Sequence, residues 1–198
     1  VMTVPRVLSL ADDDSLLITP VPELEGLRFN KKSVSEANIP ANQDIVLPDI
    51  AGSAIEIHAV IDPNAAREVG LNVLRSPDAT ELTRISFFHR ANARWGTPQL
   101  QIDGSQSSTG ADVLGRPPEI GPLDIPDGEY LRLRIFIDRS IVEVFANGIQ
   151  CLTLRAYPES PASTGVSVFA KGNSATLKSL DCWQMRSVWP ELESRQGR

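Results

Sequence analysis

Leu131-Arg132-Leu133-Arg134-Ile135-Phe136-Ile137-Asp138-Arg139-Ser140-Ile141-Val142-Glu143-Val144-Phe145-Ala146-Asn147-Gly148 is the stretch on which the fold turns. Leu131, Leu133, Ile135 and Ile137 recur at every second position with Arg132, Arg134 and Asp138 among the residues between them, as in a half-buried antiparallel strand. The polar pair Arg139-Ser140 interrupts the run, which resumes through Val142 to Phe145 in residues that strands favour. Asn147-Gly148 then supplies the pair that best tolerates the positive φ angles of a type I′ hairpin turn. A third strand is expected from Gln150 to Tyr157, and Asp138 and Glu143 read as solvent-facing members of the alternating hairpin.

The pattern extends outward on both sides of this meander. Ala54 to Ile61 alternates clearly, and Gly70 to Arg75, Glu81 to His89, Leu100 to Gly104, Gly165 to Ala170 and Ala175 to Met185 read as further strands. Asp62-Pro63-Asn64 and Ser76-Pro77-Asp78 read as loop and turn. Phe29 to Asp49 is polar and irregular, with one short strand at Val46-Leu47, and residues 103–128, rich in glycine and proline, are expected to form a long loop between sheets. Near the N-terminus, Met2 to Leu10 and Leu16 to Ile18 flank an Asp12-Asp13-Asp14 turn. Pro20 and Pro22 should stop that ladder, because proline donates no hydrogen bond. Glu23 to Arg28 fits a short helical turn or linker. Short strands at regular spacing, with almost no helix, predict an all-β, two-sheet antiparallel β-sandwich of the concanavalin or lectin-like jelly-roll type.

Composition narrows the function. A chain of 198 residues has room for one large β-domain. Its net charge of −6, with scattered basic residues, offers no footprint for nucleic acid. No apolar run reaches the ~20 residues that span a bilayer, so no membrane partner is expected. The two cysteines, Cys151 and Cys182, make no disulfide framework and no metal-ligand spacing, and the reading for each is a buried, unreactive thiol. No cofactor motif and no metal site is expected.

The two histidines, His58 and His89, both fall in strands without a nucleophile motif beside them, and structural or surface roles are expected for both. Carboxylates are plentiful, and a pair of them is what glycoside hydrolysis requires, but a linear pattern does not pair them. Trp95 is the one tryptophan in a clear loop, next to Arg94 and close to Arg90; Trp183 and Trp189 read as packing residues. An indole face beside arginine donors suits a sugar ring, so Trp95, Arg94 and Arg90 form the candidate carbohydrate-binding set.

Several stretches resemble glycoside hydrolase family 32, the invertase, inulinase and levanase family. Met2-Thr3-Val4-Pro5-Arg6, Pro22-Glu23-Leu24 and Leu27-Arg28 look like the segment that leaves that family's five-bladed catalytic propeller. Gly70 to Ser76, Leu133 to Gly148, and Ser179-Leu180 through Trp183-Gln184-Met185 look like its C-terminal β-sandwich. The resemblance divides the chain into a propeller end and linker at 1–28, a sandwich at 29–190 and a tail at 191–198. It implies that catalysis belongs to the propeller, through an Asp in Trp-Met-Asn-Asp-Pro-Asn-Gly, an Asp in Arg-Asp-Pro and a Glu in Glu-Cys. None of these motifs occurs here; Ile61-Asp62-Pro63-Asn64 echoes the first without its flanks. Within the sandwich, Phe88-His89 and Asp103-Gly104-Ser105 depart from the relatives' Tyr-Asp and Asp-Arg-Ser.

Two readings follow from the resemblance, and a third, an active hydrolase, would need a new carboxylate pair. In one, the chain is the non-catalytic sandwich of a β-fructofuranosidase-like glycosidase, inactive without its propeller and with no catalytic residue of its own. In the other, it is a free-standing carbohydrate-binding module for a fructan or another fructose-containing sugar. A surface that a propeller would otherwise cover also makes a homo-oligomer an expected partner state.

Overall fold

The computed structural model describes residues 2–89 and 97–189, and within them fifteen strands and one 3₁₀ turn. The meander is where the alternation placed it: β11 (Leu131–Asp138), β12 (Ile141–Ala146) and β13 (Gln150–Arg155) pair antiparallel in sequence order. The turn after Asp138 places Arg139 at φ 54°, and the turn after Ala146 places Asn147 and Gly148 at 50° and 73°. Both central residues of that second turn are thus left-handed, as a type I′ turn demands, and Ile149 N–H closes it on Ala146 C=O.

The meander forms one side of a seven-stranded sheet. Next to β11 lies β6 (Ala54–Asp62), then β15 (Ala175–Met185), whose outer side is shared by β3 (Arg28–Val34) and β4 (Ala37–Ile39). The opposing five-stranded sheet has the order β10 (Glu119–Pro122), β9 (Gln99–Asp103), β8 (Thr83–Phe88), β7 (Glu68–Arg75), β14 (Gly165–Lys171). Between β4 and β6 runs β5 (Gln43–Ala51), which lies alongside β14 and is tied near its ends by Asn42 N–H to Ala170 C=O and Gly52 N–H to Thr164 C=O.

Alternate residues of the two sheets interdigitate as the core. Ile55, Ile57 and Ile61 of β6 and Leu131 and Ile135 of β11 meet Leu71, Ile85 and Ile102 from the other sheet, all fully enclosed. Burial of a branched aliphatic side chain contributes roughly 1.5–3 kcal/mol, so this two-layer core dominates stability.

Three expectations are corrected here. Phe29 to Asp49 holds three strands rather than one short one; β3 is an exposed sheet edge, where an apolar alternation is not required for pairing. Residues 103–128 are not all loop, since Glu119–Pro122 pairs with β9, and Pro122 is tolerated because it ends an edge strand. Pro20 does not stop the N-terminal ladder: it is the last residue of β2 (Leu16–Pro20), opposite Arg6 at the start of β1 (Arg6–Leu10). This hairpin is a separate two-stranded sheet, and the Pro22–Leu27 3₁₀ turn leads from it into β3.

Candidate functional site

Strand alternation sends Ile55, Ile57, Ala59 and Ile61 into the core, and therefore turns Glu56, His58 and Val60 to the outer face of the seven-stranded sheet. Register then sets their neighbours: Arg134 of β11 stands opposite His58, and on the other side Trp183 and Asp181 of β15 stand opposite Glu56 and His58. Arg28, where the 3₁₀ turn becomes β3, completes the cluster.

Glu56 is wholly buried and is the anion at its centre. Arg28 donates from Nε to Oε2 at 2.8 Å and from Nη2 to Oε1 at 2.8 Å, in a bidentate pair; Arg134 Nε also donates to Oε1, and His58 Nε2 lies 2.8 Å from it. Burial alone pushes this carboxyl up, but the hydrogen bonds from Arg28, His58 and Arg134, with the Arg134 charge, bring it down to about 2. Trp183 roofs the cluster, with the Arg28 guanidinium 4.4 Å from its ring centroid and the His58 ring edge-on at 4.9 Å. His58 Nε2 also lies 3.1 Å from Arg28 Nη2, so the ring is held between Glu56 and Arg28.

A second buried carboxylate fastens the N-terminal hairpin. Glu143, expected to face solvent, has no exposure at all. Its Oε1 accepts from Arg6 Nε at 3.0 Å and from Arg6 Nη2, and its Oε2 accepts from Val4 N–H at 2.9 Å. Position 143 does face outward from the sheet; what removes it from water is the hairpin laid over it. Asp138 is exposed, as expected. Between hairpin and sheet a groove of about 320 Å³ remains, lined by Ile18, Thr19 and Pro20 on one side and by His58, Arg132, Arg134, Phe145 and Asn147 on the other.

A third carboxylate, Glu81, is 1% exposed and gathers two loops. It accepts from Thr109 N–H and Oγ1, Glu159 N–H, Ser160 N–H and Ser163 Oγ. Burial raises its pKa, but these donors outweigh burial and lower it to about 2. Asp62-Pro63-Asn64 is a local turn in which Asn64 N–H bonds Asp62 Oδ1 at 3.0 Å, and it rims a second hollow with His89, Asp127 and Glu129. Among the described residues no group of three or more His, Cys, Asp or Glu is placed to hold a metal ion.

The sugar-binding candidates Arg90, Arg94 and Trp95 lie outside the described residues. Of the other tryptophans, Trp183 packs as expected, whereas Trp189 is 67% exposed and does not. Sequence reasoning missed the Glu56 cluster and the burial of Glu143. A signal did exist, in carboxylates at outward strand positions matched by arginines at outward positions elsewhere, but pairing them needs the register. Both cysteines are free: Cys182 is buried, and Cys151 is partly buried beside Glu143.

The family model described as glycosyl hydrolases family 32 C terminal matches residues 23–184. The levanase of Bacillus subtilis (strain 168) is 32% identical over 195 residues, covering 94% of this chain and 27% of that protein. The 6(G)-fructosyltransferase of Asparagus officinalis is 30% identical, covering 88% of this chain and 34% of its own. In structure, fructan 1-exohydrolase IIa from Cichorium intybus superposes with a TM-score of 0.82 at 22% identity, over 92% of this chain and 40% of that one. The chain thus spans between about a quarter and a third of the length of these two sequence relatives.

Proposed function

The chain belongs to glycosyl hydrolase family 32, as that family's C-terminal domain, and we propose from this premise that it is the non-catalytic sandwich of a β-fructosidase-like enzyme. Its task is to hold a separate catalytic domain, and it hydrolyses nothing alone. The observation that carries this reading is the β1–β2 hairpin. Among the described residues neither strand pairs with any further strand, and Leu8, Leu10 and Leu16 are 64%, 66% and 49% exposed. A two-stranded sheet is marginal in water, free strand edges recruit neighbours, and clustered exposed leucines mark an interaction surface. The hairpin is thus anchored to the sandwich at its base and carries exposed leucines on both strands beside its Asp12-Asp13-Asp14 turn, the form expected of an arm received by another β-sheet.

The carboxylates also support a structural role. A glycosidase needs one carboxyl that keeps its proton near the working pH, whereas Glu56 and Glu81 are both held ionised by the groups around them. The test is sugar release from sucrose, inulin and levan by the chain alone. No release above a protein-free control is expected; release abolished by one carboxylate substitution within this chain would overturn the reading.

A further inference from the structure

We infer that the groove between the β1–β2 hairpin and the seven-stranded sheet is a binding site for a small oxyanion, the phosphate monoester or carboxylate of a sugar-sized ligand. At about 320 Å³ it falls at the lower end of the range for small-molecule sites. It gathers Arg132, Arg134 and His58 in a chain whose net charge is −6.

The donors there exceed the acceptors. Glu56, the one buried carboxylate they adjoin, already takes Arg28 through two nitrogens, His58, and Arg134 through Nε. That leaves Arg134 Nη2 buried with no hydrogen-bond acceptor. Glu25 Oε1 lies 3.8 Å from it, on a half-exposed side chain that also pairs with Arg28 Nη1 at 3.3 Å. Arg132 has no ion-pair partner among the described residues and rests 6.0 Å from the Tyr130 ring centroid. A buried unmet donor is costly, and a guanidinium meets an oxyanion with charge-assisted hydrogen bonds. A neutral sugar is a poorer match, because Phe145, the aromatic lining the groove, is 3% exposed and presents no stacking face. Glu25 sits in the 3₁₀ turn on a half-exposed side chain, so an arriving anion can replace it beside Arg134 while Arg28 stays on Glu56.

The experiment is an amide NMR titration of the full chain with inorganic phosphate against chloride at matched ionic strength, repeated with fructose 6-phosphate, citrate and fructose. Saturable shifts centred on residues 58, 132, 147 and 148 are expected for phosphate and for at least one of the larger anions, and none for fructose. Fructose 6-phosphate binding more tightly than phosphate assigns a sugar phosphate, and citrate doing so assigns a carboxylate. Arg132→Ala should weaken binding by about tenfold or more, and Arg132→Gln should do the same without loss of the aliphatic stem. Shifts that follow ionic strength alone, saturation by fructose, or unchanged affinity in both arginine variants would overturn the site.

Discussion

Arg6 and Glu143 stand 137 positions apart in the chain and close on each other across the outer face of the sandwich, so that a carboxylate on an outward-facing strand position is sealed from water by an N-terminal arm. The arginine also lies 5.7 Å from the Phe145 ring centroid, and Ile18 N–H bonds Gly148 C=O at 2.6 Å, so the hairpin is held at its base from both strands.

Arg6→Ala should release this arm. Loss of a charge-assisted pair costs about 1.5–3 kcal/mol, short of the full penalty for a stranded buried charge because the freed hairpin lets water reach Glu143. Limited proteolysis should then cut within residues 4–20 well before the sandwich is cut; equal resistance in variant and wild type would show that the latch does not hold the hairpin.

The leucines of the same hairpin should make the isolated chain self-associate. Sedimentation over a range of concentrations is expected to show dimers or larger species, and Leu8→Ser with Leu10→Ser should return the chain to a monomer. A wild-type chain that stays monomeric throughout, with the hairpin rapidly cleaved, would count against an arm that seeks a β-sheet partner.

At the centre of the outer face, Glu56→Ala removes the anion that Arg28 and Arg134 share and leaves the two guanidinium groups to repel one another in a half-buried cluster. The expected destabilisation is about 3–5 kcal/mol, read as a lower denaturation midpoint. Replacing Glu56, Arg28 and Arg134 together by neutral residues should cost less than this single change, because no buried charge is then left unpaired.

Acid should act through Glu56 and Glu81, whose pKa values fall from the ordinary 4.5 to about 2 on folding. A depressed folded value contributes stability that is fully present above about 4.5 and is lost as pH falls toward about 2. Unfolding measured across this window should steepen as these two carboxylates take up protons, with Asp78, also lowered to about 2, adding to the slope, and Glu81→Gln should flatten it while lowering stability at neutral pH.

Two glycines separate conformational strain from steric strain. At Gly148 a Cβ meets only Thr19 Cγ2 at 3.7 Å, so Gly148→Ala costs just the positive φ, about 1–2 kcal/mol, and Gly148→Val about 1–3. At Gly70, between β8 and β14, a Cβ would lie 1.9 Å from Ile85 C=O, so Gly70→Ala should be the more damaging change by a wide margin in thermal midpoint.

The meander and the two-sheet class were legible because alternation is local: Leu131 to Ile137 declares a buried face whatever strand lies beside it, and Asn147-Gly148 declares a turn by its own φ preference. Family membership was legible in the same segments, since Leu133 to Gly148 and Gly70 to Ser76 lie within the matched residues 23–184. Strands β3, β4 and β10 were not, because an edge strand takes its conformation from its neighbour's backbone rather than from its own side chains. The fate of each carboxylate lay further still from the local pattern. Glu143 and Asp138 occupy similar places in one hairpin, yet one is sealed and the other solvated, because Arg6 arrives over only one of them. Glu56 binds Arg28 and Arg134, which come from 28 positions before it and 78 after. Periodicity along a strand sets which face each side chain takes, but what covers that face depends on contacts between segments the chain keeps far apart.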